Sequence, residues 1–168
     1  MKIELKNIKI NLTFSEETTM FMADVYVNGK KTAYANNDGR GGCTFYNSYH
    51  APNNDEDLRQ AEAYCLSLPK VRVEEYDFEY DMNLEHFIDN LIEDELKKKE
   101  QKKLEKKMVD TIMWGKPNGH SYTQVKFKVP LAKVPTTRLQ EVVDKYKKEF
   151  KKGDEFLNTN LETLGIKL

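Results

Sequence analysis

The sequence predicts an α+β fold: a mainly antiparallel N-terminal sheet covered by helices, then a long charged helix and a basic C-terminal helical lobe. Apolar and polar residues alternate through much of residues 1–46, which is the period of a strand with one buried face. Asn28 and Gly29 separate two such runs, and both tolerate the positive φ that a type I′ hairpin turn requires. Later in the chain, apolar residues recur at the spacing of amphipathic helices.

The first strand is predicted over residues 2–14, where apolar side chains alternate with lysine and asparagine. The alternation slips by one position between Leu5 and Ile8, which predicts a β-bulge or a bend. Strands over 23–27 and 31–35 flank the predicted turn, so this segment predicts an antiparallel meander of three or four strands. Strands this amphipathic need a helix or a second sheet over one face.

Five further elements are predicted in chain order: a helix over 55–68, a strand over 71–80, a helix over 83–114, a strand over 122–129 and a helix over 135–150. The second of these helices has about 30 residues and would be roughly 45 Å long. A small sheet cannot cover that length, so its middle is expected to project into solvent or to break. We predict a division into residues 1–82 and 83–168, either as one compact domain or as two lobes.

Charge is unevenly distributed, although the net charge of the 168 residues is only −1. Residues 1–95 contain 9 Lys and Arg against 19 Asp and Glu, whereas residues 96–168 contain 18 against 9. Such polarity is typical of two halves that attract each other within the fold. It is equally typical of a basic surface that binds nucleic acid or an acidic partner.

The sequence also predicts where the protein resides. No apolar run approaches the roughly 20 residues of a membrane span, so no membrane partner is expected. The N-terminal segment alternates like a strand and does not resemble a signal peptide. Cys43 and Cys65 are far apart in the sequence and are expected to be reduced thiols. These observations predict a soluble cytoplasmic protein.

A glycine-rich loop follows the second hairpin strand and is the first candidate site. Successive N–H groups of such a loop can converge on an anion, and an arginine adds a planar fork of donors. The alternative is a wide turn that redirects the chain into the next strand. Neither a GxGxxG nor a Gly-Lys-Ser/Thr motif is present. The candidate anion- or ligand-binding residues are Asp38, Gly39, Arg40, Gly41, Gly42 and Tyr46.

A lysine-rich segment of the long helix and the loop after it form the second candidate site. Lysines bind phosphates without sequence preference, and aromatic side chains add stacking on bases. The alternative is a solvated helix whose glutamates pair with the lysines at helical spacing. The candidate basic surface consists of Lys98, Lys102, Lys106, Trp114, Lys116 and Tyr122.

Metal and thiol chemistry have little support in the sequence. No CxxC or HxxxH pair occurs, so neither a metal nor a cofactor is expected. Cys43 and His50, which are seven residues apart, form a candidate nucleophile–base pair. A half-buried strand cysteine is the alternative for Cys43, and Cys65 is predicted to lie in the core.

An acidic strand offers a further catalytic hypothesis. Its carboxylates share strand parity and would lie on one face, where they could hold a divalent metal for a hydrolase. The alternative is a solvated acidic edge, which protects a strand from aggregation. The acidic segment consists of Glu74, Glu75, Asp77, Glu79 and Asp81, of which the last four share that parity.

The run ADVYVNGKKTAYANNDGRGGCTFY at residues 23–46, followed by QAEAYCLSLP at 60–69, resembles a pattern in small uncharacterised proteins of phages and prophages. The resemblance covers about the first 70 residues. It implies a bacterial cellular context, with host takeover or counter-defence as the setting, and it assigns no role to any residue.

Three functions follow as hypotheses. The favoured one is a non-enzymatic phage-type binding protein that occludes or sequesters a host component, with a host bacterial protein or a nucleotide ligand as its partner. The first alternative is a nucleic-acid-binding protein that uses the basic C-terminal half. The second is a metal-dependent hydrolase of nucleotides or nucleic acid. The sequence leaves the oligomeric state open, including a dimer through the long helix.

Overall fold

Four antiparallel strands form the first sheet, in the order β1-β2-β3-β4. They are β1 (Ile3–Ile10), β2 (Phe21–Val27), β3 (Lys30–Asn37) and β4 (Phe45–Ser48). This computed structural model describes residues 1–73, 77–117, 119 and 121–168. Each strand pairs with the next one along the chain, as the meander prediction requires. The α+β class is therefore confirmed.

Two local predictions for this sheet are also confirmed. Asn28 and Gly29 have φ values of 50° and 85°, which are the two positive values of a type I′ turn between β2 and β3. The pairing of β1 with β2 shifts register between Lys6 and Lys9. Asn7 lies at that shift with φ of 53°, so the phase slip in the sequence marks a real irregularity.

Helices cover one face of the sheet within the first unit of the chain. These are α1 (Asn54–Leu66) and the first half of α2 (Leu84–Met108). Cys65 of α1 and Ile88 of α2 join Val25 of the sheet in one buried cluster. Between the helices lies a short hairpin of β5 (Val71–Val73) and β6 (Phe78–Tyr80); part of the predicted strand over 71–80 falls outside the described residues.

The second unit has its own sheet and its own core. Its strands are β7 (Thr111–Gly115), β8 (Tyr122–Lys126) and β9 (Glu155–Phe156), in the order β8-β7-β9. Helix α3 (Thr136–Lys147) contributes Leu139 and Val143 to the core. Short 3-10 turns occur at Leu12–Phe14, Leu131–Lys133 and Glu162–Leu164.

The long helix is shorter than the sequence predicts. It ends at Met108, and residues 111–115 form the fully buried central strand β7 instead of its last turns. The basic lobe therefore contains a sheet and is not purely helical. By internal contacts the chain divides into residues 1–96 and 97–168, where the sequence prediction placed the division after residue 82. Among the described residues, no helix combines the length and apolar character that crossing a membrane requires.

Candidate binding surfaces

The amides of the glycine-rich loop are bonded to the protein itself. Gly39 N donates to Asn37 Oδ1 at 2.8 Å, and Arg40 N donates to Asp38 Oδ1 at 3.2 Å. Gly41 N donates to Thr18 Oγ1 at 3.2 Å. Each of these three donors already has an acceptor, so they do not converge outward on an anion. These three amides therefore do not form the cradle that the anion-site interpretation of the loop requires.

Gly39 is required by a close approach between two segments of chain. Its carbonyl accepts hydrogen bonds from the amides of Glu16, Glu17 and Thr18, at 2.8, 3.1 and 3.3 Å. Its φ is +85°, and a Cβ at this position would lie 2.4 Å from the carbonyl oxygen of Phe14. The loop is therefore a docking point for the segment that joins β1 to β2, which is the turn alternative in a more specific form.

The electrostatic setting of the loop also opposes an anion. Gly42 lines a cavity of about 390 Å³. Its lining includes the carboxylates of Glu16, Glu17, Asp89 and Glu93. Burial raises the pKa of Asp89, and its neighbours Glu85 and Glu93 raise it further. An anion in this cavity would face negative charge.

The remaining candidate residues of the loop site are Asp38, Arg40 and Tyr46. Asp38 and Arg40 are exposed, and Arg40 forms no ion pair with any residue that the structure describes. Tyr46 is on the covered face of the sheet, where its hydroxyl donates to Glu62 Oε1 of α1 at 3.0 Å. Burial, together with that bond, raises the pKa of Tyr46 to about 12. Tyr46 is thus part of the core rim and not of a ligand site.

Only some of the residues of the candidate basic surface are exposed. Lys98, Lys102 and Lys106 are exposed on α2. Their spacing of four residues places them along one side of the helix. None of the three forms an ion pair with another described residue. They make a row of unneutralised cations in a unit whose residues 97–168 contain 18 Lys and Arg against 9 Asp and Glu.

Trp114 does not belong to that surface. It is 4% exposed and lies at the centre of the second core, with ring centroid distances of 4.7 Å to Tyr146 and 6.4 Å to Phe150. Trp114 is buried because β7 is the central strand of its sheet. Tyr122 is half-buried, and its hydroxyl accepts a 2.6 Å hydrogen bond from Lys107 Nζ. Lys116 is exposed.

The described residues do not assemble either the thiol site or the acidic-strand site that the sequence suggested. Cys43 is exposed in a loop and is not the half-buried strand residue that was expected, whereas Cys65 is buried as predicted. Asp77 lies in a turn and pairs with Arg72 at 2.8 Å, and Glu79 is in the short strand β6. Among the described residues, no three or more potential ligands are placed to hold a metal; Glu74 and Glu75 lie outside them.

The side of the N-terminal sheet opposite α1 and α2 carries a surface that sequence reasoning did not single out. We call it the open face and define it by two rows of residues that run across all four strands. The first row is Lys6, Asp24, Tyr34 and Asn47, and the second is Lys9, Met22, Asn36 and Phe45. Met22 is 61% exposed, Phe45 is 64% exposed and Tyr34 is 40% exposed.

Asp24 anchors the open face through a hydrogen-bonded network. Its carboxylate accepts bonds from Tyr49 Oη at 2.5 Å and Asn7 Nδ2 at 2.7 Å, and Lys31 Nζ lies 2.9 Å away. The bonds from Tyr49 and Asn7, with Lys31 contributing, lower the pKa of Asp24 to about 2. Lys31 Nζ also sits 4.5 Å from the centre of the Tyr49 ring. The network fixes this aromatic ring against the sheet.

A cavity of about 410 Å³ adjoins the open face. It is lined by Tyr34, Asn47, Ser48, Tyr49 and His50. The two tyrosine rings lie 5.8 Å apart at 55°, and Asn47 Nδ2 donates to the Tyr34 hydroxyl at 3.3 Å. Ser48 Oγ donates to the carboxylate of Asp55. The cavity therefore offers ring faces and an amide, both held in place by neighbours.

The alternation of polar and apolar residues along β2 predicts which of its side chains belong to this surface. Asp24 and Tyr26 alternate with the buried valines of β2, so their outward direction was predictable. The alignment of Met22, Asn36 and Phe45 into one row depends on the register of three strands, which no local pattern specifies.

Comparisons of the chain with protein-family models, with curated proteins and with solved structures give no match. The candidate surfaces must therefore be judged on their own chemistry.

Proposed function

We propose that this chain is a non-enzymatic binding protein whose recognition surface is the open face of the N-terminal sheet. The observation that carries the proposal is the second row, in which exposed Met22 and Phe45 flank Asn36 across adjacent strands. Apolar surface left in water costs roughly 25 cal/mol per Å². Methionine and aromatic residues are enriched where proteins bind their partners.

The rigidity of the open face supports the same proposal. Asp24 ties Tyr49, Asn7 and Lys31 together across the strands. A surface that is already fixed loses little conformational entropy when a partner binds, and this raises affinity. Exposed aromatic groups on a fixed frame are also the residues that most often dominate binding free energy.

We infer the cellular setting from the expectation, raised by the sequence of about the first 70 residues, of a resemblance to phage and prophage proteins. We place the protein in the bacterial cytoplasm and infer that its partner is a host component, which it occludes or sequesters.

Affinity capture from a bacterial lysate tests this function. The wild type is compared with a Met22→Ser/Phe45→Ser variant and with Leu66→Ser, a control for an equally exposed apolar residue at the end of α1. A stoichiometric partner should be recovered by the wild type and by the control, and lost by the double variant. Equal recovery by all three proteins would contradict the proposal.

A second candidate function is supported by the lysine row on α2. Lys98, Lys102 and Lys106 are exposed and unneutralised among the described residues, which suits non-specific contact with phosphates. Replacing all three with glutamine should reduce the slope of log affinity against log salt by roughly 2–3, since each phosphate contact contributes about 0.9 on duplex DNA. An unchanged slope, or no binding at about 50 mM salt, removes this candidate.

A further inference from the structure

We propose that the partner of the open face is a single-stranded nucleic acid, an inference that rests on the proposed function and names the ligand of that same surface. The open face combines the three groups that such a ligand requires. These are exposed rings for stacking, amides for base edges and lysines for phosphates.

The exposed aromatic rings of the open face are on two neighbouring strands. Tyr34 and Phe45 lie on neighbouring strands and in adjacent rows, because Phe45 is opposite Asn36, two residues beyond Tyr34. Both are substantially exposed, so a planar base can lie on either ring. Stacking is tolerant of sequence, since every base has a π face. Duplex DNA keeps its base faces inside its own stack, so only an unpaired strand can use these rings.

The amides are interleaved with the rings. Asn36 lies between Met22 and Phe45 in the second row, and Asn47 lies beside Tyr34 in the first. A carboxamide both donates and accepts hydrogen bonds, which suits the edges of bases. The alternation of ring and amide is what favours a nucleic acid over an apolar protein segment, which a continuous apolar patch would suit better.

The unbalanced charge of the open face is positive. Lys6 and Lys9 stand at the β1 end of the two rows, and neither forms an ion pair with a described residue. The carboxylate of Asp24 is already occupied by Tyr49, Asn7 and Lys31. Phosphates therefore meet two uncompensated lysines along this edge, although residues 1–96 as a whole are acidic.

The cavity beside Tyr34 provides a place for one base. Its volume of about 410 Å³ is bounded by the Tyr34 and Tyr49 rings, by Asn47 and by His50. Lys31 Nζ lies 4.5 Å from the centre of the Tyr49 ring, so one face of that ring is already covered by a cation that is paired with Asp24. A neutral planar base with hydrogen-bonding edges fits this lining.

Fluorescence anisotropy with labelled oligonucleotides of about 12 units tests the inference. Single-stranded DNA or RNA should bind, and the matching duplex should not. Because only two lysines contact phosphates, the affinity should fall with a shallow slope of about 1–2 in log salt. A Tyr34→Ala/Phe45→Ala variant should bind at least about 30-fold more weakly, as expected for the loss of two stacked bases.

Two controls keep the result specific. Leu66→Ser changes an exposed apolar residue outside the open face, and Asp94→Asn changes an exposed charge on α2; both variants should leave single-strand affinity unchanged. Affinity that is insensitive to the Tyr34→Ala/Phe45→Ala change would overturn the inference. So would failure of all oligonucleotides to bind while Met22→Ser/Phe45→Ser still abolishes capture of a stoichiometric protein; the proposed function would then stand with a protein partner. If no oligonucleotide bound and the Met22→Ser/Phe45→Ser change also had no effect on capture of a protein, the proposed function would be wrong as well.

Discussion

Lys31 Nζ lies 2.9 Å from Asp24 Oδ2, at the centre of a network that holds the open face together. The same carboxylate accepts the Tyr49 hydroxyl and the Asn7 amide. One ionised group thus connects β1, β2, β3 and the residue after β4. This arrangement makes the shape of the open face dependent on the charge of Asp24.

Replacing Asp24 with asparagine should destabilise the protein near neutral pH by roughly 1–3 kcal/mol, the usual size of hydrogen bonds to a charged group. The folded state lowers the pKa of Asp24 from its usual 3.8 to about 2. The stabilisation is therefore complete above pH 4 and is lost as the pH falls through 2. Urea unfolding of both proteins from pH 6 to pH 2 measures this. The difference in unfolding free energy between the wild type and Asp24→Asn should shrink as the pH falls. Asp94→Asn, at an exposed site on α2, is the control, and its difference from the wild type should not change with pH.

Gly39→Ala should destabilise the first unit by about 2–4 kcal/mol, because the new Cβ meets a backbone carbonyl in a left-handed conformation. Gly42→Ala is the matched control, since a Cβ there has no atom within 4 Å. Thermal unfolding of the two variants checks the prediction. If Gly39→Ala were as stable as Gly42→Ala, the docking role of this loop would be wrong.

The sequence predicted those features whose causes are local. The hairpin at Asn28 and Gly29 depends on two backbone conformations, and the bulge before Ile8 on a change of parity in one strand. The sequence left the glycine loop open between an anion site and a turn, because the acceptor of the Gly41 amide is Thr18, 23 residues earlier. The boundary of α2 was missed because the apolar run around Ile112 fits a helical stripe as well as a buried strand.

Trp114→Ala should cost about 3–5 kcal/mol in the second unit, as for other large aromatic residues removed from a core. Val109→Ala, at an exposed position of the same unit, should change stability by less than about 0.5 kcal/mol. Far-UV circular dichroism during urea unfolding compares the variants. In the wild type, this single tryptophan should resist acrylamide quenching, and ready quenching would contradict its central position.

The two cysteines should differ sharply in reactivity. Cys43 is exposed, whereas burial raises the pKa of the Cys65 thiol to about 11. Because the thiolate is the nucleophile, iodoacetamide near pH 8 should label Cys43 alone in the folded protein and both residues after unfolding. Peptide mass spectrometry locates the label. Equal labelling of Cys65 in the folded protein would show that α1 does not bury it.

The most direct test of the open face as the recognition surface is methyl NMR of the six methionines during titration with a single-stranded oligonucleotide. Met22 lies in the second row of the open face, and Met82 and Met113 are buried elsewhere. The Met22 methyl resonance should shift upfield under the ring current of a stacked base, while those of Met82 and Met113 stay in place. An unchanged Met22 resonance in a saturated complex would contradict the account.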